Sequence, residues 1–271
     1  MLTLLQNTAI QFPVQPGTDA ASSIRSYEIK NWPNQAIGNV LETDLLVGKY
    51  YRSIGRPIYR IGGDPGVTNP GAEAEIETIK NTWRELEVLT QDLEHCFNVN
   101  SPFEANWPAY GIYYERIIYV ACIGIEALFR KILEDNNVAA KSTMNDFVKL
   151  EPHLRLDGYS VSLQQYPWLK PIAPFSDWNL QSPSGSLFWY NEYNLLKHEK
   201  RKNEDAASMK NAIYAAAAYY ILAYAAFGGK LFPGFFSDHF YFIFKAFPSW
   251  DMTQYYFEPD DKTWTPIDLS L

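Results

Sequence analysis

The chain has 271 residues, 47% hydrophobic and 16% aromatic, which suits one large domain or a domain with extensions and excludes disorder as its dominant state. Acidic residues outnumber basic ones 31 to 23, giving a formal charge of −8, so any contact with a polyanion requires a local basic patch. Two cysteines, Cys96 and Cys122, are too few for a disulfide framework and fit a reducing, cytoplasmic compartment.

Residues 1–70 read as short apolar stretches broken by Pro and Gly. No basic segment followed by a long apolar run opens the chain, so no signal peptide is expected. Strands are predicted at 2–12, 24–30, 49–54 and 57–61, the last two joined through Gly55-Arg56 as a hairpin. The stretch 61–71 is a turn-rich linker and a first boundary. It lacks the Gly-Lys-Ser/Thr ending of a phosphate-binding glycine loop.

From Ala72 the period becomes helical. A helix is expected over 72–98, with Glu73, Glu75 and Glu77 in its first turns, where negative charge suits the helix N-terminus. A second covers 108–135, because Tyr110, Tyr114, Ile117, Ile118, Ala121, Ile125, Leu128 and Ile132 follow helical spacing. A shorter one at 144–150 takes Ser142 as its cap and ends before Pro152. The Pro- and Trp-rich stretch 159–184 reads as loop packed on the surface of the bundle. Two more helices follow, 186–200 and 205–227, the second closed by Gly228-Gly229.

The last of these contains nineteen uncharged residues, 211–229, close to the roughly 20 apolar residues of a spanning helix. Alanine dominates it and tyrosines are spread along it, which suits the centre of a bundle better than lipid. Four consecutive alanines, Ala215 to Ala218, allow a neighbouring helix to approach closely. In the tail, strands are expected at 235–247, 252–258 and 264–267, with Asp260-Asp261-Lys262 as a turn. The fold class is therefore mainly α: a central helical bundle (71–228) with small β elements at an N-terminal extension (1–70) and a C-terminal tail (229–271).

The strongest chemical signal is the run Phe188-Trp-Tyr-Asn-Glu-Tyr-Asn-Leu-Leu-Lys-His-Glu-Lys-Arg201. At about 100° per residue, Tyr190, Asn194, Lys197, His198 and Arg201 share about one third of the helix circumference. A phenol, an amide, an ammonium, an imidazole and a guanidinium on one face suit phosphate chemistry. The competing reading is a solvated helix end, where cations favour the negative terminus and Glu199 and Glu204 interleave with them. Glu126, on the flank of the preceding long helix, could orient His198 or Lys197, or instead pair with Arg130 four residues on. The other histidines, His95, His153 and His239, read as structural. No residue group reads as a metal or cofactor site, and Ser182-Pro-Ser-Gly-Ser186 is not a nucleophile elbow.

The order Trp-Tyr-Asn-x-x-Asn-Leu-Leu-Lys-His-x-x-Arg, followed by a long Ala-rich helix, resembles the C-terminal half of HEPN-like helical bundles of prokaryotes. The segment Tyr113 to Arg130 resembles an earlier helix of the same bundles. The resemblance spans roughly 72–228. It implies an all-α bundle that often forms homodimers and, in catalytic members, metal-independent RNA cleavage through an Arg-x(4–6)-His motif. His198 matches the motif histidine. The arginine does not match: Glu192 stands six residues before it, and no arginine lies between Arg155 and His198. A catalytic reading makes His198 the general acid/base, Lys197 and Arg201 the neutralising cations, and Asn194 and Tyr190 the positioning groups. The alternatives are a non-catalytic dimerisation or interaction module and a small-nucleotide binder.

Overall fold

The computed structural model describes residues 43–59, 66–229 and 241–271, together with the backbone of two strands near the N-terminus. It is mainly α, with small β elements at both flanks. The long helices are α1 (Ile76–Val99), α2 (Ile112–Asp135), α5 (Phe188–Glu199) and α6 (Met209–Phe227), with two single turns, α3 (Met144–Phe147) and α4 (Glu151–Leu154), between α2 and α5.

Helix α6 is the axis of the bundle and packs against α1, α2 and α5. Every residue in it except Lys210 and Tyr214 is buried. It needs no polar face because it has none in solvent. Ala215 to Ala218 are all buried, as close helix approach requires. A Cβ on Gly124 of α2 would lie 2.5 Å from Cζ of Tyr219, so the α2–α6 contact depends on a glycine there. Ser208 caps α6 by accepting a bond from the Asn211 amide at 3.3 Å. Gly228, at φ +77°, ends it. Among the described residues no helix is long and apolar enough to cross a membrane.

In α2 the apolar stripe Tyr114, Ile117, Ile118, Ala121, Ile125, Leu128 and Ile132 is buried as its spacing requires. Each large aliphatic side chain there contributes about 1.5–3 kcal/mol. Tyr110 precedes the helix and is 58% exposed. The turn α3 is capped by Thr143 and Asp146 in a reciprocal capping box, one residue past the expected Ser142. Pro152 does not stop the chain. It sits in the first turn of α4, where an amide proton has no helical acceptor to lose.

The stretch 159–184 is largely loop on the surface of the bundle, as expected, with Trp168 and Leu180 exposed, but it is anchored in the core. Tyr159, Val161, Leu163, Leu169, Ile172, Phe175 and Trp178 are buried. The indoles of Trp178 and Trp189 donate to the Pro183 and Pro174 carbonyls, both at 2.9 Å. An irregular apolar spacing hides such a segment from periodicity, because its burial follows the shape of the bundle.

The β elements join distant parts of the chain. Strands β1 (Leu2–Gln6) and β2 (Thr8–Phe12) pair antiparallel, Leu4 opposite Ile10. Strands β3 (Lys49–Tyr51) and β4 (Arg56–Tyr59) do not form the expected hairpin. Strand β4 pairs antiparallel with β5 (Val67–Thr68) and parallel with β8 (Tyr256–Phe257), while β3 pairs parallel with β9 (Thr265–Ile267). The connection between β3 and β4 dives into the bundle instead of turning in solvent. Ser53, at φ +54°, and Ile54 are wholly buried, and the Gly55 amide donates to the Ala225 carbonyl at 2.7 Å. A Cβ at Gly55 would stand 2.8 Å from that oxygen. Strand β6 (Ser160–Leu163) pairs antiparallel with β7 (Phe242–Ala246), Ser162 opposite Ile243. The two flanks are thus stitched to each other and to the bundle. The strand expected at 24–30, the first part of the one at 235–247, residues 61–65 of the linker 61–71 and His239 lie outside the described residues.

Candidate functional site

Helix α5 is short and its inner face is heavily aromatic. Trp189, Tyr190, Tyr193 and Leu196 are buried and set its rotation, so Asn194, Lys197 and His198 occupy one outer flank. Asn194 is half-buried, and Lys197, His198 and Arg201 are exposed. The structure divides the five-residue group at two places.

Tyr190 leaves it at the N-terminal end. Its side chain is buried and its hydroxyl donates to Oε1 of Glu126 on α2 at 2.8 Å. Burial raises its pKa strongly and the Glu126 charge raises it further, so Tyr190 stays a neutral donor. Tyr193 faces the same carboxylate, and burial followed by that charge raises its pKa too. Tyr119 packs edge-on against Tyr193 at 5.7 Å. Glu126 therefore serves two phenols of α5 and neither His198 nor Arg130. The Cys122 thiol beside this cluster is pushed well above the ordinary thiol value, by burial first and then by Glu126. It is no nucleophile at neutral pH.

The second division is at the C-terminal end. The backbone breaks at Glu199 (φ −137°, ψ 39°), and Lys200–Lys202 form a tighter 3-10 turn, so Arg201 does not continue the α-helical azimuth of His198. The turn redistributes the cations. Lys200 pairs with the buried carboxylate of Glu115 at 2.8 Å. Lys202 pairs with Glu199 at 3.3 Å. Lys197 stands 5.3 Å over the Tyr193 ring. Among the described residues, the side chains of His198 and Arg201 have neither a hydrogen bond nor an ion pair. Arg116, next to Glu115, pairs with Asp92 at 3.2 Å. A hollow of about 210 Å³ beside α5 takes Leu196 and Lys200 into its wall, with Glu115 and Glu204, and does not include His198 or Arg201.

What results is an outward cationic end with one free imidazole and one free guanidinium, over a carboxylate–phenol cluster. Such an end can hold phosphate oxygens. Among the described residues, no carboxylate or amide orients the His198 ring, as one ordinarily does for a general acid/base. Among the described residues no group of three or more His, Cys, Asp or Glu could hold a metal ion.

A second cluster has no counterpart in the sequence reading. Arg56 on β4 is only 4% exposed, and its guanidinium lies 5.1 Å from the Tyr51 ring centre and 5.7 Å from those of Trp250 and Tyr256. It donates to the Gln254 carbonyl at 3.1 Å and faces Nδ1 of His153 at 3.4 Å. Burial, helped by the Arg56 charge, lowers the His153 pKa to about 4, so the ring is a neutral acceptor. Close by, burial and the neighbouring Asp157 carboxylate raise the Glu151 pKa to about 7. The only local signal was His153-Leu-Arg155 after a proline. The partners, Arg56 and Trp250, lie roughly a hundred residues away on either side.

Compared with protein-family models, with curated proteins and with solved structures, the chain matches none.

Proposed function

We propose that the central bundle is a HEPN-like domain that binds RNA along its phosphate backbone at the end of α5. The observation that carries this is the free pair His198 and Arg201, exposed beside Lys197, on a chain of formal charge −8. Most cations of that turn are held by Glu115, Glu199 or an aromatic ring, yet these two are unspent. An anionic protein that leaves cations unpaired at one helix end offers a local contact for a polyanion. With Lys197 and Arg201 each meeting one phosphate of a single strand, log Kd depends on log salt with a slope of about 1.4.

Cleavage is the second reading. It is favoured by the position of Asn194 one turn before His198, with the imidazole free to move a proton. In that case His198 takes the proton of a ribose 2′-hydroxyl, and Lys197 and Arg201 stabilise the charged phosphorus centre. Tyr190 has no part in it, since its hydroxyl is held by Glu126. The absent motif arginine and the unoriented imidazole favour binding without cleavage. One experiment separates the readings: mixed RNA is incubated with wild type, His198→Ala and Arg201→Ala in EDTA, and retention and product are scored together. Retention without product, weakened in Arg201→Ala, is the expected result. Product that vanishes in His198→Ala would establish cleavage. No retention in any salt condition would overturn the proposal.

A further inference from the structure

Behind the Arg56 cluster the surface opens into a hollow of about 570 Å³ walled by Arg155, Trp250, Gln254, Asp44, Asp251 and Ser249. It is open to solvent over most of its extent, so it suits a small molecule held on one side. Three features set it apart from an ordinary surface dent.

First, two arginines converge on the same two wall residues, and neither is in an ion pair among the described residues, although the Arg155 charge is felt by the Glu151 carboxylate. Arg56 lies 5.7 Å from the Trp250 ring and Arg155 5.9 Å from it. Arg56 bonds to the Gln254 carbonyl, and Arg155 reaches Oε1 of Gln254 at 3.4 Å. Secondly, the buried donors Nε of Arg56 and Nε1 of Trp250 have no acceptor among the described residues. Buried donors are nearly always satisfied, and one of these two belongs to Trp250, a residue of the wall. Thirdly, Arg155 ends the turn α4 in a left-handed backbone (φ 52°, ψ 44°), a common helix ending, and so starts its side chain from a fixed point beside the wall.

The rim completes the specification. The Asp251 carboxylate accepts the Thr253 amide at 2.9 Å, and that bond holds its pKa below the ordinary value. Asp44 is exposed on the same rim. The wall therefore carries both signs of charge, the Arg155 guanidinium and the Asp44 and Asp251 carboxylates. A bare anion satisfies only half of it.

We infer that this hollow is a binding site for a small organic anion that also carries hydroxyl or ammonium donors, its phosphate or carboxylate against Arg155 over Trp250 and its donors toward Asp44 and Asp251. Arg56 acts from behind the wall, supplying positive field in a water-poor setting, and neutral His153 keeps its guanidinium in place.

The test uses the full chain labelled with 5-fluorotryptophan. The resonance of Trp250 is assigned by its loss in Trp250→Phe, and the other seven tryptophans serve as internal controls. Glycerol 3-phosphate and serine are titrated at constant ionic strength, to about 50 mM, well above a millimolar dissociation constant. A saturable shift confined to the Trp250 resonance is expected with one of them, which tells a phosphate from an amino-acid carboxylate. Arg155→Gln, at a half-buried position that the core does not need, is expected to weaken that binding about tenfold, the loss of one charge-assisted contact. No saturable shift with either probe, or equal affinity in Arg155→Gln, would overturn the inference.

Discussion

The α2–α6 contact can be tested by adding a single methyl group. In Gly124→Ala the new Cβ would fall 2.5 Å from Cζ, 2.6 Å from Cε1 and 2.9 Å from Oη of Tyr219. Carbon atoms do not approach that closely, so the ring or the helices must move by about 1 Å. Tyr219 is 2% exposed and its hydroxyl donates to Oε2 of Glu85 on α1, so the ring cannot swing away without breaking a charge-assisted bond. Overpacking costs about 1–3 kcal/mol, and the strained bond to the carboxylate about 1.5–3 kcal/mol. Replacing Gly by Ala in a helix returns about 1 kcal/mol. The net loss is about 2–4 kcal/mol, and at about 2–4 °C per kcal/mol for a domain of this size, Tm falls by roughly 5–15 °C. Calorimetry or circular dichroism measures it. In Tyr219→Leu, which clears the space, the same Gly124→Ala change should be neutral or mildly stabilising. A Gly124→Ala protein as stable as wild type with Tyr219 intact would refute the geometry of the central contact.

Other consequences are narrower. Tyr190→Phe removes the bond to Glu126 and should cost about 1–2 kcal/mol in urea unfolding while leaving RNA retention unchanged. If retention collapses, Tyr190 belongs to the site after all. His153, whose folded pKa is about 4, is held neutral in the native state. Its stabilisation is present above the unfolded pKa near 6.5 and is lost as pH falls through about 4, worth about 1–2 kcal/mol after solvent screening. His153→Gln should flatten the acid side of the stability profile over that window, and an unchanged slope would refute the assignment. Glu151, raised to about 7, acts in the opposite sense. It favours folding below about 4.5, and that contribution is lost as pH rises through about 7, so Glu151→Gln should remove the loss.

How much of this was legible in the sequence depends on the distance over which each feature is determined. The α2 stripe from Tyr114 to Ile132 and the all-round burial of α6 are one-helix properties, fixed by spacing and composition, and they can be read directly. The β3–β4 hairpin failed because its true partners lie some two hundred residues away: Tyr51 opposite Ile267 and Ile58 opposite Tyr256. Nothing local announces a parallel pairing with the tail. The face of α5 was half legible. Spacing put Asn194, Lys197 and His198 on one flank of the helix, but it could not show that Glu126 takes the Tyr190 hydroxyl. It also could not show that the break at Glu199 turns Lys200 toward Glu115. Arg56 lay beyond reach, since a buried arginine in a β-strand has the same local sequence as an exposed one. What marks it is the company of Tyr51, Trp250 and Tyr256, which only the fold assembles.

The most direct test of the central claim is the salt dependence of single-stranded RNA binding by wild type and by His198→Ala/Arg201→Ala, in EDTA. Wild type should show a log–log slope of about 1.4, and the double variant a slope of about 0.7 or less with markedly weaker retention. Identical slopes and affinities for the two proteins would contradict an RNA site at the end of α5.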